Sequence, residues 1–140
     1  FIGDPLLFAN TEKLDLSGKT LATQANTVQA AYLKTNFTKK SEILLTSTLE
    51  ESFEALVSGR ADAVLTDSLV GFDFLQTEDG ERFDYIGPPL ETSDPSSEAR
   101  IVVREGNKEL IDAIESALRK IRVNGIYEKI NKTYFPFSIY

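Results

Sequence analysis

Short apolar runs alternate with amphipathic stretches along the chain, and the spacing of apolar positions switches between strand and helix periods. Residues 19–24 (KTLATQ) follow a Ser17-Gly18 turn and read as a strand. Asn26 and Thr27 then offer N-caps to a helix through Ala30, Ala31 and Leu33. Residues 43–46 (ILLT) read as a second strand. After it, Ser47/Glu50 and Thr48/Glu51 both have the spacing of a capping box, in which hydroxyl and carboxylate each satisfy a backbone N–H. Leu49, Phe53 and Leu56 share one helix face, and Gly59 stands where a C-cap glycine belongs.

Residues 61–66 (ADAVLT) form a largely apolar run, the pattern of a strand covered on both faces. Asp67 and Ser68 open a helical stretch with Leu69, Phe72 and Leu75 on one side. Residues 77–81 predict a turn, and residues 83–86 a short strand ended by Gly87-Pro88-Pro89. Residues 91–98, rich in Ser, Asp and Pro, read as a linker, and residues 100–104 as a further strand. Asn107 is placed to cap the longest helix, along which Leu110, Ile114, Leu118 and Ile121 repeat until Gly125. A short helix through Ile126 and Ile130 and an aromatic tail (Tyr134, Phe135, Phe137, Tyr140) complete the chain. The order β-α-β-α-β-α followed by two helices predicts an α/β fold, with a mostly parallel central sheet and helices on both faces.

Charge and composition narrow the function. Fifteen Lys and Arg face twenty-two Asp and Glu, a net charge of −7. That balance argues against a nucleic-acid partner, which requires a basic surface to neutralise phosphates. Residues 105–140 carry +1 and residues 1–104 carry −8, so the acidity sits in the first part of the chain. It serves solubility, or attracts a cationic small molecule. The absence of Cys and His removes disulfides, thiolate chemistry, the Ser-His-Asp triad and the commonest metal ligands. No cofactor or metal is expected. No apolar run approaches the length of a membrane span. The chain starts at Phe1 with no Met or leader, so it reads as a processed or excised piece whose address no leader reports.

Ligands of open α/β sheets bind beyond the carboxyl ends of the strands, and two segments qualify. Residues 24–29 form a polar strand-to-helix turn whose free N–H groups and helix dipole suit a carboxylate; equally, the turn is an ordinary N-cap. Thr66-Asp67-Ser68 ends the third strand, where Asp67 either holds an ammonium group or caps a helix. Catalytic chemistry is poorly supplied. Ser17, Ser47 and Ser68 have no histidine to activate them, and Asp62 and Asp67 point to opposite faces of an extended strand.

Four blocks in order carry a resemblance. Residues 16–29 (LSGKTLATQANTVQ) are similar to an L-x-G-K-x-V-x-V-x-x-G-T-T-x stretch, and residues 59–67 (GRADAVLTD) to G-R-x-D-A-x-x-x-D. Residues 83–88 (FDYIGP) resemble F-x-F-x-G-P, and residues 118–135 (LRKIRVNGIYEKINKTYF) resemble A-L-x-x-L-R-x-D-G-T-Y-D-K-I-x-x-K-Y-F. Together they resemble the C-terminal part of type II periplasmic solute-binding proteins of amino acid ABC transporters, in the lysine/arginine/ornithine, histidine and opine-binding branch. The resemblance implies a non-enzymatic, two-lobe clamp in the periplasm that hands an amino acid or opine to an inner-membrane ABC permease. By position, Asp67 would bind the ligand α-ammonium, and Thr27 and the backbone of Val28 its α-carboxylate. Gln24, Asn26 and Gln29 would line the wall.

Three departures qualify it. Asn26 stands where the family has Gly, and Val28 replaces a second Thr and its hydroxyl, which keeps an opine or other derivative open as ligand. The family's first lobe would precede Phe1, with residues 1–10 near the first hinge crossing. Residues 1–94 would then be the second lobe, 95–104 the hinge return strand, and 105–140 helices that dock on the first lobe. Their apolar faces imply association with the missing lobe or with a swapped copy of the chain. A sensing module of the same fold, or a cyclohexadienyl dehydratase-like enzyme, are the alternative readings.

Overall fold

The computed structural model describes residues 1–8, 14–90 and 100–139. The linker expected at 91–98, the end of the 1–10 stretch and Tyr140 of the tail lie outside them. The chain divides into two compact units, Phe1–Glu98 and Ala99–Tyr140.

The first unit is an open sheet with helices packed on it. Its elements are β1 (Ile2–Gly3), β2 (Thr20–Gln24), α1 (Val28–Asn36), β3 (Glu42–Thr46), α2 (Leu49–Val57), β4 (Ala63–Val64), α3 (Ser68–Leu75), a 3-10 turn at Glu78–Gly80, and β5 (Asp84–Tyr85). The strand order is β3-β2-β4-β1-β5. β2 runs parallel to β3, from Thr20↔Glu42 to Gln24↔Thr46, and parallel to β4 at Leu21↔Ala63 and Ala22↔Val64. Those pairings follow from the α1 and α2 crossovers, which return the chain to the same end of the sheet.

The expected α/β class with a mostly parallel sheet is present: β2, β3, β4 and β5 run the same way, and β1 alone runs against them. β1 pairs antiparallel with both β4 and β5. It comes from the start of the chain without a helical crossover, and its two residues carry no periodicity for a sequence reading to detect.

Both faces of the sheet are covered. Ala22 and Val64 pack with Ala55, Leu56, Phe74 and Phe83 on one side. Their strand neighbours Leu21, Ala63 and Leu65 pack with Leu33, Phe8 and Ile86 on the other. The two-residue alternation of a strand sends consecutive side chains to opposite faces, so an apolar run such as 61–65 serves two cores at once. Phe53 and Phe74 stack with centroids 4.1 Å apart, joining α2 to α3.

The caps mostly follow the sequence. Thr27 Oγ1 accepts from Ala30 N at 3.1 Å, and Thr48 Oγ1 from Glu51 N at 3.2 Å, while Glu51 Oε2 accepts from Ser47 N at 2.8 Å. Thr48 rather than Ser47 is the N-cap, and the Glu51 carboxylate reaches one residue further back than in a capping box, to Ser47 N. Gly59 takes a left-handed φ of +76°, ending α2 as the pattern requires. Asp62 works as a clamp at the amino ends of the strands. Its Oδ2 accepts from Thr20 N at 2.8 Å, and Lys19 Nζ lies 3.7 Å from Oδ1.

In the second unit, α4 (Lys108–Val123) and α5 (Ile126–Tyr134) are separated by Asn124-Gly125. Residues 100–104 form no strand, contrary to the sequence expectation: they join no ladder, and Ile101 and Val102 are 62% and 90% exposed. Asn107 occupies the N-cap position of α4 without a side-chain cap bond. Asn131 is buried and ties the tail to α5. Its Nδ2 donates to Phe137 O at 2.6 Å, and its Oδ1 accepts from Ile139 N at 3.1 Å.

Gly80 is the tightest backbone contact of the first unit, since a Cβ there would lie 2.1 Å from Phe74 O. Gly80→Ala therefore has to displace α3 backbone, and a loss of about 2–4 kcal/mol in urea-unfolding stability is expected.

Candidate ligand-binding site

The carboxyl ends of β2, β3 and β4 finish at one edge of the sheet, and α1, α2 and α3 begin there. β2 hands over to α1 through Ala25 and Asn26. Asn26 has φ +61°, the one non-glycine residue with positive φ among the described residues. Asparagine tolerates this left-handed bend better than other side chains, which gives a physical reason why it can stand where the resembled motif has Gly. Thr27 Oγ1 donates to Gln24 O at 2.8 Å while accepting from Ala30 N, so its hydroxyl secures the first turn of α1 to the end of β2. The first N–H groups of a helix have no intrahelical partner. That of Ala30 is taken by Thr27, and those of Val28 and Gln29, at the positive end of the helix dipole, have no intrahelical acceptor.

Asp67 is the N-cap of α3. Its Oδ1 accepts from Leu69 N at 2.9 Å, and Oδ2 has no partner among the described residues. The side chain is exposed, so the cap uses half the carboxylate and the other half faces outward.

Between these two helix starts lies an open recess of about 130 Å³. Gln24, Thr27, Gln29 and Asp67 line it together. Asn26 and Val28 do not; Asn26 forms the bend, and Val28 presents a side chain 46% exposed. Thr23, Leu49, Leu65, Thr66 and Val70 complete the lining. Of these, the sequence pattern singles out only Thr66, within the Thr66-Asp67-Ser68 segment; the apolar members look like core, and Thr23 looks like any strand residue.

The floor is held by hydroxyls. Thr46 Oγ1 lies 2.7 Å from Thr48 O, 2.6 Å from Ser52 Oγ and 3.3 Å from Thr23 O. Its single proton goes to the nearer carbonyl, Thr48 O, and Ser52 donates to it. Thr23 Oγ1 donates to Leu65 O at 2.8 Å. No buried side-chain N or O among the described residues lacks a partner.

Tyr85 of β5 stands behind Asp67. Its hydroxyl donates to Ser68 O, and a Cβ on Gly71 would lie 3.3 Å from its ring. Burial raises the Tyr85 pKa above its ordinary value, and the negative charges of Asp67, Asp84 and Asp73 raise it further.

The recess therefore brings together a helix N-terminus and a carboxylate with one oxygen that has no partner among the described residues. No protein-family model matches the chain. The L-arginine-binding protein of Pseudomonas aeruginosa is 33% identical over 134 residues, which are 94% of this chain and 52% of that protein. The Lysine/arginine/ornithine-binding periplasmic protein of Escherichia coli is 27% identical over 128 residues, 89% of this chain and 49% of that protein. Among solved structures, an ancestral arginine-binding protein bound to arginine superposes with a TM-score of 0.73 at 25% identity, covering 96% of this chain and 58% of that one. The chain is thus similar to amino-acid-binding proteins, one of them periplasmic by name, and shares an α/β fold with the solved arginine-binding structure. It spans about half the length of the curated relatives it matches.

Tyr85 gives the site an alkaline signature. Above about pH 10 the unfolded chain ionises this phenol while the folded chain, with its raised pKa, keeps the proton. The folded state then binds more protons than the unfolded one, and stability falls as pH rises through that range. In Tyr85→Phe, the fall in urea midpoint between pH 9 and pH 11 is expected to be shallower than in the parent.

Proposed function

We propose that this chain is the second, ligand-binding lobe and the C-terminal helices of an extracytoplasmic solute-binding protein. Its ligand is a basic amino acid, or an opine-like derivative of one, and the ligand is delivered to an inner-membrane ABC permease. The observation that carries the reading is the recess itself, where Asp67 faces the first N–H groups of α1 across a gap lined by Gln24, Thr27 and Gln29. An α-amino acid carries an ammonium and a carboxylate on one carbon, and these walls complement the two charges. The arginine- and lysine-binding relatives and the −8 charge of residues 1–104 favour a cationic side chain. Asn26 sets the bend, and the backbone N–H of Val28 meets the carboxylate.

The site is a binding site rather than a catalytic one. Of its three lining threonines, Thr23 and Thr27 donate their hydroxyls to backbone carbonyls, and the relatives named above are binding proteins. The described helices include none long and apolar enough to cross a membrane, as suits a protein exchanging ligand with a separate permease.

A recess of about 130 Å³ falls well short of the roughly 300–1,000 Å³ of ordinary ligand pockets, so a second wall has to complete it. In this reading residues 1–94 supply one wall, 95–104 form the hinge return, and 105–140 dock on a first lobe that supplies the other. The helices support that assignment: no residue of α4 is buried, and Ile126, Ile130 and Tyr134 of α5 are 45%, 51% and 71% exposed. A helix with so marked an apolar stripe is ordinarily packed along it.

Three measurements test the proposal. A thermal-shift panel with arginine, lysine, ornithine, histidine, glutamine, octopine and nopaline, alone and with the first lobe supplied, should show stabilisation confined to one chemical class. The gain should reach about 2.7 kcal/mol at a hundredfold excess over Kd. Against the responding ligand, Asp67→Asn is expected to weaken binding by about 1.5–3 kcal/mol, and unchanged affinity would remove Asp67 from the site. In sedimentation velocity, the chain alone is expected to self-associate or to join the added lobe. A monodisperse, fully folded monomer would contradict the docking role of α4 and α5.

A further inference from the structure

The two charged walls of the recess are held by consecutive residues of one strand. Gln24 O receives the Thr27 hydroxyl at 2.8 Å, which sets where α1 begins. One residue earlier, Thr23 Oγ1 donates to Leu65 O at 2.8 Å. The position of that second bond is informative. The β2–β4 ladder pairs Leu21 with Ala63 and Ala22 with Val64, and its last backbone bond runs from Leu65 N to Ala22 O at 3.0 Å. Past that point β4 leaves the sheet toward α3, and Asp67 comes two residues later. The Thr23 side chain takes over where the backbone ladder stops.

Both partners are buried, Thr23 at 2% and Leu65 at 5% exposure. A valine at this position would fill the same volume and suit a strand at least as well, without a hydroxyl to satisfy. With its proton committed to Leu65 O, the hydroxyl could meet a ligand only as an acceptor, a role that would not depend on Asp67 and would not alter exchange at Leu69 N–H.

We infer that Thr23 is a positioning residue for Asp67: its bond to Leu65 O holds the departing end of β4 at a set distance from the start of α1, and so sets the spacing of the cation and anion walls. This rests on the reading of Asp67 as the ammonium partner, and it names a determinant of that spacing within the sheet.

Thr23→Val and Thr23→Ser separate the hydroxyl from the shape. In the form of the protein that binds L-arginine, calorimetric titration is expected to show about a tenfold loss of affinity for T23V, and T23S within about twofold of the parent. In an Asp67→Asn background T23V should add little, because its effect passes through that carboxylate. An equal further loss there, or unchanged affinity in T23V alone, would overturn the proposal.

A ligand-free measurement decides the matter even if no amino acid binds. Leu69 N–H is held by Asp67 Oδ1, so its hydrogen exchange reports where the carboxylate stands. Exchange at Leu69 should speed up in T23V and not in T23S, with cooperative unfolding kept in both. Unchanged exchange in T23V would refute the positioning role. Failure of T23V to fold would make the hydroxyl a requirement of the fold instead, which also overturns the inference. A silent thermal-shift panel combined with the expected Leu69 result would leave Thr23 positioning Asp67 and remove only the ligand assignment.

Discussion

With β3 and β4 both parallel to β2, the three strands end at the same edge of the sheet, and the helices that follow them start there. Parallel pairing thereby collects unsatisfied N–H groups and N-cap side chains into one small region. Because β2 is buried on both faces, that edge cannot shift without disturbing two cores. Thr23, Gln24 and Thr46 convert this rigidity into position, through bonds to Leu65, Thr27 and Thr48.

The same strand pairing gives the two aspartates of the GRADAVLTD segment different work. Asp62 precedes β4 and binds Thr20 N at the amino ends of the strands, where its charge is engaged in holding β2 to β4. Asp67 follows β4 at the carboxyl ends, and one of its oxygens is left over after capping α3. Five residues of chain thus separate a structural carboxylate from one available to a ligand. The spare capacity of the second, rather than acidity as such, marks it.

Much of this was legible in the sequence, and the limits have physical causes. The caps at Thr27 and Thr48, the left-handed glycine at Gly59 and the apolar run of β4 are local signals, and the structure follows them. β1 was invisible because two residues have no period, and only β4 and β5, distant in the chain, make Ile2 a core residue. Residues 100–104 failed in the opposite way, having the apolar, β-branched run of a strand but no ladder among the described residues. N-cap chemistry pointed to the strand ends beside the recess yet could not say which neighbours line it. Val28 and Gln29 are adjacent in sequence, and only Gln29 lines it.

The insertion of β1 also bears on the order in which the first unit is assembled. Ile2 pairs with Val64 on one side and Tyr85 on the other, so this segment is synthesised well before either of its partners. Pairings of such separation are slow to form, since most of the intervening chain must be ordered beforehand. On a ribosome, β2, α1 and β3 can come together while β4 still has an open edge where β1 will sit. That edge is apolar on both faces, which makes the interval before β1 closes it the period when the nascent chain is most exposed to mispairing with another strand.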